Sequence, residues 1–263
     1  MIRKNKYILF SILTVGLAAC SDDRTVLPET VEGEYPVTLQ ASIDHLNLTR
    51  ANDNGFTDGD RIGVYMVDFV NGMPGQLLSE GNHADNKLYT YNQDEVKWDS
   101  SSSLFFTDSS TPADFYSYYP YKEGLTDVEA IPFSVERNQS IVSLANSLSG
   151  YEASDLLWAK ESGLSASSRM VNLTFRHILA GVEVNLQEGE GFDEGEWESL
   201  EKTVLVSSTN LNGVFNLSTG VVVPLETSDI RPIIANPCGA VEFRAIVVPQ
   251  NVAVNAPLMT VNV

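Results

Sequence analysis

Cys20 follows Leu17-Ala18-Ala19, and small residues ahead of a cysteine are what a lipoprotein signal peptidase needs. The thiol is diacylated, the chain is cut before it, and the new amine is acylated with a fatty chain such as palmitate. The context agrees in order: a basic start (Arg3, Lys4, Lys6), an apolar run from Tyr7 to Leu17, then the cysteine. An apolar run of eleven residues is too short to cross a hydrocarbon core of about 30 Å as a helix. Residues 1–20 therefore read as a lipoprotein signal peptide, and Cys20 as the lipidation site. Buried acyl chains contribute roughly 0.8 kcal/mol per methylene, so anchoring is firm without a transmembrane helix.

Other reactive side chains point to less. His45, His83 and His177 lie far apart, and none has a second histidine at i+2 to i+5, so convergent zinc ligands are not expected. Ser147-Leu148-Ser149-Gly150 has no glycine at the offset a nucleophile elbow needs. Cys238, between Pro237 and Gly239, has a turn context and no histidine nearby, and reads as a lone thiol. The stretch from Asp53 to Asp60 is faintly calcium-like. It fails the EF-hand pattern because Phe56 stands where an oxygen ligand is required and no glutamate closes the loop. The acidic run Glu188, Glu190, Asp193, Glu194, Glu196, Glu198 reads as a solvated face, and nothing marks a carboxylate pair for glycoside hydrolysis. Tyr116, Tyr118, Tyr119 and Tyr121 could stack on sugars, although strand aromatics are usually core or cross-strand pairs. No catalytic residue, metal ligand or cofactor is assigned, and the chain is expected not to be an enzyme.

The elements that carry these residues are strands. Val37, Leu39, Ala41 and Ile43 alternate on one face, and Arg61–Val67 forms a second strand entered by Asp58-Gly59-Asp60. Leu88–Tyr91 and Glu95–Trp98 flank Asn92-Gln93-Asp94 as a hairpin, and Asp114–Tyr121 is aromatic and extended. Alternation continues at 171–175, 182–186, 203–206, 213–217, 221–223 and 241–248, whereas only Ser140–Ser149 carries weak helical spacing. The chain is all-β, most simply antiparallel sandwiches with Greek-key-like connections. Its 263 residues and the loop Glu188–Glu198 point to two sandwiches. With 16 basic against 35 acidic residues the formal charge is −19, which repels phosphate backbones and excludes a nucleic-acid partner. Apolar residues make up 43% of the chain, so it is not disordered throughout.

Several segments, in order behind the lipobox, resemble one family, the fimbrillin-like pilus subunits and their anchor and tip relatives. They are Phe56–Tyr65, Asp114–Tyr121, Asn138-Gln139-Ser140, Ser154–Ala159 and Leu173–Ala180. Ser21-Asp22-Asp23 resembles the surface-export signal of lipoproteins from anaerobic Gram-negative bacteria. The resemblance implies two transthyretin-like β-sandwich domains in tandem: after the signal peptide and a tether over 21–35, an N-terminal domain over 36–180 and a C-terminal domain over 181–263. It implies export to the outer membrane and assembly into fimbriae with other subunits by strand exchange. In that family a strand is removed by proteolysis after an arginine, and a neighbouring subunit's strand fills the vacated groove. Here strand 37–43 and the following Leu46–Ala51 fit that layout, with cleavage expected between Arg50 and Ala51. The expected role is adhesion or pilus assembly, with a surface ligand on host or bacterium; the alternative is a surface carbohydrate-binding lipoprotein. The second domain reads as short of strands, with residues 252–263 expected as an edge strand open on at least one side, through truncation of the gene product or for pairing with another chain.

Overall fold

Runs of valine, isoleucine, tyrosine and phenylalanine at alternate positions form most of the strands. The structure, a computed structural model, describes residues 34–44, 55–142, 148–168, 170–226 and 230–263. Cys20, His45, Arg50, Ala51 and Asp53 lie outside the described residues. The first half contains β1 (Leu39–Ile43), β2 (Arg61–Asp68), β3 (Ala84–Asn92), β4 (Lys97–Asp99), β5 (Ala113–Tyr119), β6 (Ile131–Ser134), β7 (Leu157–Leu164) and β8 (Val171–His177). The second contains β9 (Ala180–Asn185), β10 (Thr203–Val206), β11 (Asn212–Asn216), β12 (Val221–Pro224), β13 (Ile233–Ile234), β14 (Asn236–Pro237), β15 (Glu242–Val247) and β16 (Met259–Asn262). Two single-turn helices, α1 (Gly150–Ala153) and α2 (Glu196–Ser199), and a 3₁₀ turn at Ala166–Ser168 complete the set.

Seven strands form one sheet in the order β1-β8-β7-β5-β2-β3-β4, and its two edge strands, β1 and β4, lie against each other. The sheet is thus curled around a core that includes Ile62, Val64, Met66, Trp98, Phe115, Leu173 and Phe175. Its opposite face contributes Tyr65, Val67, Tyr116 and Tyr118 to a second core shared with Val204, Phe215, Phe243 and Val248. Strands β2 and β5 are covered on both faces, so β5 throughout and β2 in all but its ends are buried runs rather than alternations. Three smaller sheets run β13-β10-β16, β12-β11-β6 and β14-β15-β9. Strand β6 therefore leaves the first half of the chain to pair with β11, with Phe133 opposite Gly213.

The all-β expectation holds, with differences in detail. Pairing of β1 with β8 is parallel, which departs from the antiparallel sandwiches that the sequence most simply implies. Residues 252–254 form no strand, and the C-terminal edge strand is confined to β16, which pairs on one side with β10 and is exposed throughout. Helical spacing over 140–149 falls partly outside the described residues. The helix begins at Gly150, where Ser149 and Glu152 form a reciprocal capping box. No helix among the described residues is long and apolar enough to cross a membrane.

Candidate functional site

The segment 35–44 pairs first with residues 104–106 and then with β8 of the curled sheet. Phe106 N–H donates to Tyr35 C=O and Val37 N–H donates to Leu104 C=O, both at 2.8 Å. The chain then passes to β8, where Val171 N–H donates to Thr38 C=O at 2.8 Å and Asp44 N–H to Phe175 C=O at 2.7 Å. Register runs from Leu39 opposite Val171 to Ile43 opposite Phe175. Leu39 and Ile43 point into the core while Gln40 and Ser42 face solvent, so the alternation read from the sequence is the one observed. Side chains of this size contribute about 1.5–3 kcal/mol each when fully buried. Without β1, the edge of β8 would lose its partner and that core would open, which is the geometry for accepting a strand from another chain. What the sequence reading missed is the pairing of 35–37 with 104–106; the alternation of Leu104 and Phe106 was the available signal.

The segment Phe56–Tyr65 is a structural corner. Asp60 accepts from Thr57 N–H at 2.7 Å, from Thr57 Oγ1 at 3.1 Å and from the Tyr119 hydroxyl at 3.1 Å. Burial raises the Asp60 carboxyl above the ordinary range, and these hydrogen bonds oppose the shift only in part. Phe56 packs edge-on to Trp98, Phe175 and Tyr119, with ring centroids 4.9, 5.3 and 5.9 Å away. Asp58 accepts from Gln93 N–H at 3.1 Å. These acids are engaged with the protein's own donors.

The segment Asp114–Tyr121 supplies Tyr118, whose hydroxyl donates to Asn86 Oδ1 at 2.8 Å. Burial raises the Tyr118 and Tyr119 phenols well above their usual range. Tyr116 and Tyr118 are core residues, as the ordinary reading of strand aromatics expects, and neither forms a sugar platform. Tyr121 lies under the Arg61 guanidinium at 5.1 Å. Gln139 is fully buried and acts as a short piece of strand: its amide accepts from Ile246 N–H at 2.8 Å and donates to Ile246 C=O at 2.7 Å.

The two described histidines, His83 and His177, are held by carboxylates. His83 Nδ1 lies 2.8 Å from Asp68 Oδ2 and 3.0 Å from Thr107 Oγ1, which itself donates to Asp68 at 2.6 Å. Hydroxyl and carboxylate thus meet the same ring nitrogen, whereas a nucleophile relay needs them on opposite nitrogens. His177 Nδ1 pairs with Asp155 at the ends of β8 and the turn before β7. Among the described residues no group of three or more His, Cys, Asp or Glu is placed to hold a metal ion. Cys238 is an exposed free thiol in its turn. The acidic loop is exposed at every carboxylate, and Phe192 and Trp197 pack together at 5.2 Å with Lys202 over the indole.

The arrangement defines an all-β class of protein built from one curled sheet and three smaller ones. Two solved structures share this fold, both of candidate cell adhesion proteins. The one from Bacteroides uniformis has a TM-score of 0.63 at 20% identity, covering 89% of this chain and 80% of that one. The one from Bacteroides ovatus has a TM-score of 0.61 at 20% identity, covering 84% and 80%. In sequence, a Bacteroides uniformis protein described as a candidate fimbrium subunit, Fim1C, is 25% identical over 251 residues, or 94% of this chain and 76% of the relative. A candidate fimbrium tip subunit, Fim1C, of Bacteroides ovatus is 28% identical over 191 residues, or 68% of this chain; the match spans 34% of that relative. Residues 49–263 match the fimbrillin-like family. The chain belongs to the fimbrillin-like family.

Proposed function

We propose that this protein is a structural subunit of a fimbrium at the cell surface, delivered to the outer membrane through lipid on Cys20 and serving adhesion without catalysis. Assembly proceeds by strand exchange with other fimbrial subunits. Cleavage between Arg50 and Ala51 removes everything before it, Cys20 and β1 included, and a strand from a neighbour takes the place of β1; an anchor subunit would instead keep this strand and its lipid. The observation that carries this reading is the position of β1: an edge strand, two of whose side chains complete a core, followed seven residues on by Arg50. Two β-sandwich units divided near residue 180 fit the sheets, since β1–β5, β7 and β8 make the large sheet and β9–β16 the small ones, completed by β6.

Mass spectrometry of fimbriae sheared from cells tests the reading. Chains beginning at Ala51 support exchange. An assembled polymer whose chains all begin at Cys20 removes the cleavage step, and Cys20→Ala protein that stays on the cell surface and in the detergent phase removes the lipid anchor.

A further inference from the structure

The sheet β12-β11-β6 lays one face on the second core, with Ile131, Phe215 and Val222 pointing inward. Register fixes what its other face carries. Val214 of β11 stands between Pro132 of β6 and Val223 of β12, so one apolar row crosses all three strands. Val221 and Leu225 lie on either side of Val223 along the same face. Val221, Val223 and Leu225 are 55%, 49% and 39% exposed. The remaining positions on this face are Ser134, Asn212 and Asn216, so the strands place no charge on it. An antiparallel sheet with one face on a core ordinarily turns a polar face to water. Single apolar side chains on a surface are normal, but a contiguous set of this kind marks a contact surface.

We propose that this face joins two copies of the chain, sheet against sheet, about a two-fold axis. Charge selects the occupant. Each copy carries a formal charge of −19, and an uncharged apolar face is where two such bodies meet without opposing carboxylates. A two-fold contact sets the apolar row against its own counterpart, and sheets stack in this way about 10 Å apart. Addition of a strand at the β12 edge is disfavoured. Leu225 N–H donates to Asn212 C=O at 3.0 Å, so the nitrogen of Pro224 faces the open edge and offers no donor. The exposed apolar area is on the order of 300 Å² per copy, against ~800 Å² per partner in a standard interface, so the dimer is weak and reversible. The contact is separate from strand exchange, because neither β1 nor the edge of β8 takes part. Repeated along a fimbrium, it would gain from multivalency and hold neighbouring fibres side by side. That consequence rests on the fimbrial reading, whereas the pairing itself does not.

The test is sedimentation of residues 21–263, which keep every described residue, under reducing conditions because Cys238 is exposed. At protein concentrations up to about 1 mM a monomer–dimer equilibrium is expected. Raising the salt to about 0.5 M should strengthen it, because salt screens the net repulsion and leaves apolar contact intact. Val223→Glu sets a carboxylate at the centre of the face and should weaken pairing roughly tenfold or more, whereas Val223→Ile should keep it. Val221→Glu, at a more exposed position, carries the same expectation, and unchanged circular dichroism is the control for each variant. A chain that stays monomeric over the whole range overturns the proposal. So does association that salt weakens, that grows beyond two copies, or that both glutamate variants leave unchanged.

Discussion

Gly63 has no side chain because Tyr118 and Asn86 occupy the space it would need. A Cβ there would lie 2.5 Å from Asn86 Oδ1 and nearer still to the Tyr118 ring. Tyr118 is held in turn by Asn86, which accepts from its phenol, and by Lys122, whose N–H donates to the phenol oxygen at 3.2 Å. Gly63→Ala must therefore move a buried aromatic ring, and overpacking of this kind costs about 1–3 kcal/mol; the urea midpoint should fall with the slope unchanged. The alternation of Ile62, Val64 and Met66 was readable in the sequence, but the reason for the glycine was not, since it depends on the pairing that sets Gly63 opposite Tyr118. Buried phenols give a second expectation at this scale. Burial above all, with Asp85 and Tyr121 adding charge repulsion, pushes Tyr65 from 10.0 to about 12, and burial alone does the same for Tyr89. The folded state holds these protons more tightly than the unfolded chain, so their contribution is whole below pH 10 and is lost as pH rises towards about 12. Chemical denaturation at a series of alkaline pH values should show stability falling across that window, and a flat profile would contradict the assignment.

Strand β1 is the element on which assembly turns. Its two inward side chains, Leu39 and Ile43, together contribute about 3–6 kcal/mol by burial, against a total domain stability of 5–15 kcal/mol. A chain lacking residues 36–50 should therefore be marginal alone, with a much lower urea midpoint and a tendency to aggregate. A synthetic peptide of residues 36–50 added in excess should restore the midpoint; if truncation leaves stability unchanged, β1 is not needed to complete the core. Legibility of the elements varied for physical reasons. Strand β8 alternates cleanly because one face is core and the other solvent. Strand β6 was overlooked because Pro132 argues against a strand, yet an edge position tolerates a residue without an N–H. Strand β7 alternates only as far as Ala159; Lys160 and Glu161 break the pattern where its outer half reaches solvent. Two-residue strands such as β13 are too short to show any period. Nor could the parallel pairing of β1 be read, since alternation reports which face is buried and not which way the neighbour runs.

At the scale of the whole molecule, the large sheet and the smaller sheets share one core. Tyr65, Tyr116 and Tyr118 from the first pack in the same cluster as Val204, Phe215 and Phe243 from the second. Trp158 of β7 adds a polar tie, since its indole N–H donates to Leu217 C=O at 2.6 Å. One face of that indole carries the Arg176 guanidinium at 4.5 Å, and Gly220 lies so close that a Cβ there would come within 2.6 Å of the ring. Gly220 also has φ +68°, so Gly220→Ala combines a steric clash with backbone strain and should cost about 1–3 kcal/mol, read from the same urea midpoint. A division of the chain near residue 180 follows the order of the strands but not their dependence on one another. Residues 181–263 alone would lack β6, leaving β11 unpaired on one side, and would lack the tyrosines that cover their apolar face. Expressed by itself, that fragment should show no cooperative thermal transition and no dispersed amide spectrum, because exposed apolar surface of this kind is not offset elsewhere in about 80 residues. The intact protein should instead unfold in one calorimetric transition whose van't Hoff and measured enthalpies agree. Two separated transitions in the intact chain, or a cooperatively folded 181–263 fragment, would show that the shared core couples the two units weakly and that each is stable without the other.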